Sequence, residues 1–296
     1  MTFAERLKQA RKATGISQET LAEKLGVSRQ AVTKWETGRG IPDVENIIAI
    51  SNLFDISVDD LLSWEKEIAF HKSYLYESRT EYDIDGRKRF DFKLGGASLL
   101  RLVGTDGEKM AVRLATNDIS TLESDFKVKI DDIQGRIDVD VKRRNQMTEA
   151  KAKESLLIEV FLPNAYLARV ELEANCDALC LIGVRCENME FKGKANNVSV
   201  DAGQGALTLD CNLDMDIVVH DFSGLIELNQ VSATSRLTVS EDFAFQCLVK
   251  GLSNSVYYEV NGKPTEDLSD PNADNMIEFN GIRSELVIVR EVREDE

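Results

Sequence analysis

Residues 17–38 read SQETLAEKLGVSRQAVTKWETG, and this stretch decides the fold of the N-terminal part of the chain. Its apolar residues recur at the spacing of two short helices. Ser17 and Ser28 stand at the positions where the two helices would begin. Serine suits such a position because its hydroxyl can accept a hydrogen bond from an amide of the first turn. Gly26 stands where the first helix would end in a left-handed residue. The pattern therefore predicts two helices joined by a tight turn.

The flanking residues extend this pair into a small helical bundle. Apolar residues recur at helical spacing before Gly15, and a further helical pattern follows the I-P dipeptide at 41–42. A last short pattern, ISVDDLL, occupies residues 56–62. We expect five short helices within residues 1–64, with starts near Phe3, Ser17, Ser28, Pro42 and Ser57. This all-α segment is called the head.

Charge is distributed unevenly along the chain. The whole chain carries a formal net charge of −16. Residues 1–42 contain eight Lys or Arg and four Glu, which gives +4, so the remaining 254 residues carry −20. Such an asymmetry favours a nucleic-acid partner for the head alone.

The helix that follows Ser28 has two chemically different faces. Val32 and Trp35 form its apolar face, which predicts that they pack in the core of the bundle. The opposite face carries Arg29, Gln30, Thr33 and Lys34. Arginine can pair with two acceptors of guanine and glutamine with adenine, while lysine can neutralise a phosphate or read guanine. A helix of this length fits a major groove about 12 Å wide.

Residues 3–62 resemble the Cro/repressor-type (XRE) helix-turn-helix family. The resemblance rests on Gln18, the L-A-x-x-L-G-V-S turn, the W-E-x-G element and the following I-P. It implies a sequence-specific transcription regulator that places its recognition helix in the major groove of a palindromic double-stranded operator as a homodimer. It further implies a structural pair between Arg11 and Glu36. The DNA contacts that it implies are Gln18, Ser28, Arg29, Gln30, Thr33, Lys34 and Arg39.

Residues 65–79 are predicted to form a linker helix. Trp64, Ile68, His71 and Leu75 would share one side of it. An apolar stripe of this kind is typical of a packing seam against another domain or another copy of the chain. We assign no function to His71.

The sequence changes character after residue 80. From residue 167, short apolar–x–apolar cores such as LTL (207–209) and IEL (226–228) recur every nine to eleven residues, bounded by Gly, Asn, Asp or Ser. Every second core lies 18 or 19 residues further on, which is typical of stacked repeats. Residues 80–296 are therefore predicted to form an all-β repeat domain, here called the β-domain, with a role in regulation or oligomerisation.

Two architectures fit this period. One is a β-helix or solenoid with two strands per coil, and the other is a β-sandwich of regular hairpins. The regular step and the scarcity of proline favour the solenoid. Residues 95–245 also resemble in pattern the adhesin-type β-solenoid domain of bacteria, a family with no settled activity. The segments IEFNG (277–281) and ELVIVREV (285–292) are expected to finish or cap the sheet.

No catalytic or cofactor motif is recognised in the β-domain. The chain has two histidines, and its five cysteines lack the paired C-x2-C spacing of a zinc site. We expect packing cysteines, no metal, no cofactor and no enzymatic activity. The N-terminus lacks a signal-peptide pattern and no apolar run is long enough for a membrane helix, so we expect a cytoplasmic protein.

The role of the β-domain stays open at this point. It could hold a dimer together, sense an unknown effector, or bind another protein. In the last case the protein would be an interaction scaffold, and the head would serve only to localise it on DNA.

Overall fold

The structure is a computed structural model that describes residues 7–8, 10–12, 14, 16–36, 42, 44–54 and 74–291. The chain divides into two compact units, Met1–Ser73 and Tyr74–Glu296. The first contains the head and the second contains the β-domain.

The described part of the first unit is helical. Helices α1 (Gln18–Leu25), α2 (Arg29–Glu36) and α3 (Val44–Phe54) follow one another, and residues 7–8 and 10–12 are also helical. Their apolar faces meet in one small core. The buried members of this core are Leu7, Leu21, Ala22, Val32, Trp35 and Ile50.

The expected helices around Ser17, Ser28 and Pro42 are present. The fifth expected helix, residues 56–62, lies outside the described residues, so the number five is not established. The expected linker helix over residues 65–79 is wrong at its C-terminal end, because Tyr76–Asp83 is a strand. Residues 65–73, with Ile68 and His71, lie outside the described residues, as does Trp64. Leu75, expected on the packing seam, is exposed.

The second unit is built from strands, with two short helices, α4 (Leu122–Asp125) and α5 (Glu149–Ser155). The strands are β1 (Tyr76–Asp83), β2 (Lys88–Thr105), β3 (Lys109–Thr116), β4 (Phe126–Ile133), β5 (Arg136–Arg143), β6 (Leu157–Pro163), β7 (Leu167–Ile182), β8 (Arg185–Lys194), β9 (Asn197–Asp201), β10 (Gln204–Asp210), β11 (Asp216–His220), β12 (Ser223–Val231), β13 (Thr234–Ser240), β14 (Phe245–Leu252), β15 (Ser255–Val260), β16 (Lys263–Thr265), β17 (Asn275–Ile282) and β18 (Glu285–Glu291).

The repeat in the sequence corresponds to strand pairing. Strands β8, β10 and β12 pair in parallel as one series, and β7, β9, β11 and β13 pair in parallel as another. Each strand therefore lies beside the second next strand of the chain. Leu207 pairs with Ile226, for example, which lies 19 positions later. The period of two short strands in the sequence is the spacing between paired strands.

The core follows from this register. Phe191, Leu209, Leu228 and Phe279 stand next to one another on four adjacent strands, and all four are fully buried. Because identical positions of successive strands face the same side, apolar residues form rows across the paired strands. These rows make up one large core.

The two C-terminal strands depart from the chain order. Strand β17 pairs with both β12 and β14, and β18 pairs with both β13 and β15. The expectation that these two segments finish or cap the sheet is therefore wrong, because each lies between two other strands. The outermost strands of this end are β14 and β15 with its short partner β16.

A buried ion network joins strands at the other end of the β-domain. Glu159 on β6 is fully buried, and its Oε1 atom accepts a hydrogen bond of 2.7 Å from Arg101 on β2. Its Oε2 atom accepts a short hydrogen bond from Arg113 on β3, and Arg113 also donates to Glu77 on β1 at 2.8 Å. Four adjacent strands are thus joined by paired charges.

Within the described residues, no helix combines the length and the apolar character that crossing a membrane requires.

Candidate nucleic-acid interface

Helix α2 presents two faces, as its sequence predicts. Val32 is fully buried and Trp35 is 8% exposed, so this face is fixed in the core of the bundle. Four of the predicted contact residues lie on the exposed face of α2. They are Arg29, Gln30, Thr33 and Lys34, with Ser28 exposed at the start of the helix.

The turn between α1 and α2 is held by local hydrogen bonds. Ser17 Oγ accepts a bond of 3.1 Å from the Thr20 amide, which caps the start of α1. Gly26 ends α1 with φ at 69°, a left-handed conformation that glycine adopts without steric cost. Ser28 Oγ then accepts a bond of 3.1 Å from the Ala31 amide. These contacts fix the angle at which α2 leaves the turn.

A network of hydrogen-bonded polar side chains connects the exposed face of α2 to the core of the bundle. Glu36 is 6% exposed, and both of its carboxylate oxygens accept bonds from Arg11, at 2.6 and 2.9 Å. Arg11 also donates to the Ile16 carbonyl at 2.9 Å. The hydrogen bonds and charge of Glu36 raise the pKa of Arg11, so the guanidinium group stays charged. The Arg11–Glu36 pair implied by the family resemblance is present, and its role is structural.

Gln18 belongs to the same network. Its Nε2 atom donates to Glu36 Oε2 at 2.8 Å, and its Oε1 atom accepts from the Thr33 hydroxyl at 3.3 Å. Thr33 also donates to the Arg29 carbonyl at 3.0 Å. The sequence pattern does not indicate these contacts, because they join residues from two helices that periodicity treats separately. The phosphate contact of Gln18 and the base contact of Thr33 stay predictions.

Arg29 has a weak partner on α1. One of its guanidinium nitrogens lies 4.0 Å from Glu19 Oε2, and both side chains are about two-thirds exposed. Exposed pairs of this length contribute little to stability. Arg29 can therefore leave Glu19 for a stronger acceptor at little cost. Arg39, the remaining predicted contact, lies outside the described residues.

The arrangement defines a class of protein. Two short helices joined by a glycine turn, with the second helix anchored by its apolar face and exposing a cationic and amide-bearing face, form a helix-turn-helix unit. Comparison with known proteins agrees: residues 7–61 match the helix-turn-helix family profile. The chain belongs to the XRE-type helix-turn-helix family through this segment.

Three relatives show how far the similarity extends. The transcriptional activator BcrR of Enterococcus faecalis is 47% identical over 68 residues, which are 23% of this chain and 33% of the relative. An uncharacterized HTH-type transcriptional regulator of Methanocaldococcus jannaschii is 34% identical over 62 residues, which are 21% of this chain and 94% of the relative. The chain spans 33% of BcrR and 54% of YqaE from Bacillus subtilis.

Two solved structures are similar to parts of the chain. The P22 c2 repressor in complex with a synthetic operator is 35% identical and covers 21% of this chain and 94% of its own, with a TM-score of 0.21. An adhesin-like protein from Clostridium sporogenes is 9% identical and covers 73% of this chain and all of its own, with a TM-score of 0.39.

The described residues of the β-domain lack a group of side chains able to hold a metal ion. Among the residues that the structure describes, no three His, Cys, Asp or Glu side chains group closely enough to hold a metal ion. Its cysteines are not paired in disulfides. Burial raises the pKa of Cys176 and Cys211 to about 12 and that of Cys186 to about 11. These thiols are packed in the domain in the protonated form.

Burial of the thiols predicts slow labelling. At pH 8 a thiol of pKa 12 is ionised to about one part in 10⁴, and the thiolate is the reactive form. We expect Cys176, Cys186 and Cys211 to react with a maleimide or disulfide reagent at least about 100-fold more slowly in the folded protein than in urea. Peptide mass spectrometry after timed labelling measures each rate. Equal rates in the two states would show that these thiols are accessible.

Proposed function

We propose that this protein is a sequence-specific, DNA-binding transcription regulator without enzymatic activity, working in the cytoplasm. Helix α2 lies in the major groove, and the operator is palindromic because two heads bind it as a homodimer. The observation that carries the proposal is the fixed orientation of α2: Trp35 and Val32 are buried, so Arg29, Gln30 and Lys34 are turned outward.

The chemistry of the exposed face supports base reading. Arg29 and Gln30 can each make two hydrogen bonds to one purine, and Lys34 can reach guanine or a phosphate. Gln18 and Ser28 flank this face and, together with Arg39, contact the phosphates. Hydrogen bonds to phosphates set the position of the protein but carry no sequence information, so specificity comes from α2.

For the β-domain we infer a β-solenoid with two strands per coil, which serves to join two chains and to take up an effector or protein partner. Parallel pairing of every second strand, with rows of apolar residues in register, supports this architecture over a sandwich of hairpins. A small helix-turn-helix unit binds a half-site weakly, so joining two units on half-sites about 34 Å apart raises the affinity.

Selection of binding sites from random DNA by the full-length protein tests this function. The expected result is a palindromic motif with half-sites one helical turn apart, or a multiple of it. Recovery of DNA in which no sequence motif is enriched would contradict the proposal. A protein partner that is retained after nuclease treatment, without any selected motif, would instead support the scaffold interpretation.

The Arg29→Ala substitution tests the role of one base reader. We expect a loss of about 1–3 kcal/mol in binding free energy and a relaxed preference at one base pair. Fluorescence anisotropy with the selected operator and its single-base variants measures both effects. Lys24→Ala, which removes an exposed cation from the last turn of α1, is the matched control. An equal loss for all sequences would make Arg29 a phosphate contact.

A further inference from the structure

Four strands of the β-domain have one partner strand each among the described residues, so one edge of each is open. They are β1, β4, β14 and β16. An unpaired strand edge attracts other strands, and proteins protect such edges with charges, proline or short length. Strand β1 carries Glu77, Arg79, Glu81 and Asp83. Strand β4 carries Lys127, Lys129, Asp131 and Asp132, and β16 has three residues that include Pro264.

Strand β14 lacks this protection. It spans eight residues, FQCLVKGL, and its one charged residue, Lys250, is paired with Glu278 at 2.6 Å. Leu248, Val249 and Leu252 on this strand are 40–71% exposed. The loop before β17 bonds to the first residue of the strand, where the Asp270 amide donates to the Phe245 carbonyl at 2.8 Å.

The core of the β-domain ends unfinished at the same place. Val249 stands next to Phe279 and continues the row of Phe191, Leu209, Leu228 and Phe279. Those four residues are fully buried because a strand lies on each side, whereas Val249 is 46% exposed. A second apolar row, Val231, Ile282 and Leu252, crosses the neighbouring strands and is also exposed. Repeat domains need a polar terminal unit to stay soluble. Here the polar loop 266–274 contacts the start of β14, where Gln246 donates to the Ala273 carbonyl at 2.7 Å, and Leu248, Val249 and Leu252 beyond it stay exposed.

We propose that β14 is the dimer interface, and that it pairs antiparallel with β14 of a second copy of this chain about a two-fold axis. The axis passes through Val249, so that Val249 faces Val249 of the second copy on the same side of the joined sheet. Leu248 then faces Lys250 of the second copy, and no like charges meet across the new pair. The choice of a second copy as the occupant rests on the proposed function, which requires two heads on one operator.

The distribution of negative charge favours β14 as the surface for self-association. The sequence after residue 42 carries a net charge of −20, so most surfaces of two β-domains repel each other at short range. Strand β14 contains no carboxylate. Pairing two such strands buries Leu248 and Val249 from both copies and gives each strand the hydrogen-bond partners that its open edge lacks.

Sedimentation equilibrium of the full-length protein tests the interface. We expect wild type to sediment at twice the chain mass of 33.1 kDa at micromolar concentration. Val249→Asp and Val249→Lys should each raise the dimer dissociation constant about 100-fold, because each sets two like charges opposite each other in the interface. Circular dichroism checks that both variants fold.

Mixing the two variants tests the register of the pair. An equimolar mixture of Val249→Asp and Val249→Lys should regain dimer, since the introduced carboxylate of one chain then faces the introduced ammonium group of the other. Recovery in the mixture requires that position 249 of one chain stands opposite position 249 of the other across the two-fold axis. Two folded variants that stay monomeric when mixed would reject the proposed register.

A matched control lies on another edge strand of the β-domain. Ile133→Asp changes an apolar residue of similar exposure on β4, and it should leave the dimer intact. A monomeric wild type at all concentrations, or a dimer that is insensitive to both β14 variants, would overturn the proposal. Failure of DNA selection with an intact β14 dimer would reject the regulator function instead, so the two failures are distinguishable.

Discussion

Arg11→Ala is expected to lower the free energy of unfolding of the head by about 3–5 kcal/mol, because it leaves a buried carboxylate without its cation. The Glu36 side chain is 1% exposed and that of Arg11 is 12% exposed. Both oxygens of Glu36 bond to Arg11, and Gln18 supplies the one further bond that would remain. A head of this size is of low stability on its own, so a loss of this magnitude removes most of it.

Tryptophan fluorescence measures this effect in the first unit alone. The two tryptophans of the chain, Trp35 and Trp64, both lie within Met1–Ser73. The fluorescence transition in urea should move to lower concentration in Arg11→Ala, and operator binding should fall with it at physiological temperature. Lys12→Ala removes a neighbouring exposed cation and should change the unfolding free energy by less than about 0.5 kcal/mol. If both variants behave alike, the pair is not structural.

The helices at the interface follow from local rules. Ser17, Gly26 and Ser28 each act within four residues of their own position, so their roles can be read from the sequence. The partners of Glu36 cannot be derived from periodicity. They depend on how three segments separated by up to 25 residues come together, and the family resemblance implies one of them, Arg11. Whether α2 touches bases stays a prediction from its residue types.

The β-domain shows where periodicity stops being informative. The spacing of apolar cores is a property of neighbouring strands, so it indicates which strands pair. It cannot place β17 between β12 and β14, because IEF on β17 fits beside IEL on β12 as well as any other apolar–x–apolar core does. Strand β1, with the sequence YESRTEYD, has a charged residue at every second position, and its burial alternates in step. This period of two indicates a strand, and the expected linker helix over residues 65–79 overlooked it.

Glu159 is a further residue that alternation alone misplaces. In LLIEVFL (156–162) it occupies a position that alternates away from the core row of Ile158 and Val160, which predicts exposure to solvent. In the structure it is fully buried between Arg101 and Arg113. A charged side chain is buried only where partners compensate for the loss of water, and those partners come from other strands.

Arg113→Ala is therefore expected to destabilise the β-domain by about 3–5 kcal/mol. The substitution removes the cation from one oxygen of the fully buried Glu159 carboxylate, and it also removes the bonds to both oxygens of Glu77. Arg101 keeps its bond of 2.7 Å to the other oxygen of Glu159. One oxygen of a fully buried carboxylate then loses its cation, which costs more than the loss of an exposed pair.

Circular dichroism in the strand region of the far-ultraviolet spectrum measures this loss during unfolding in urea, because strands dominate the second unit. Arg136→Ala is the matched control, since Arg136 pairs with Asp138 at 2.7 Å but is 47% exposed. That variant should lose no more than about 1 kcal/mol, because water solvates the released carboxylate.

Glu159→Gln should fall between the two, as the amide keeps an acceptor for Arg101 while Glu77 still pairs with Arg113. Equal losses for Arg113→Ala and Arg136→Ala would mean that burial of the carboxylate does not determine the cost.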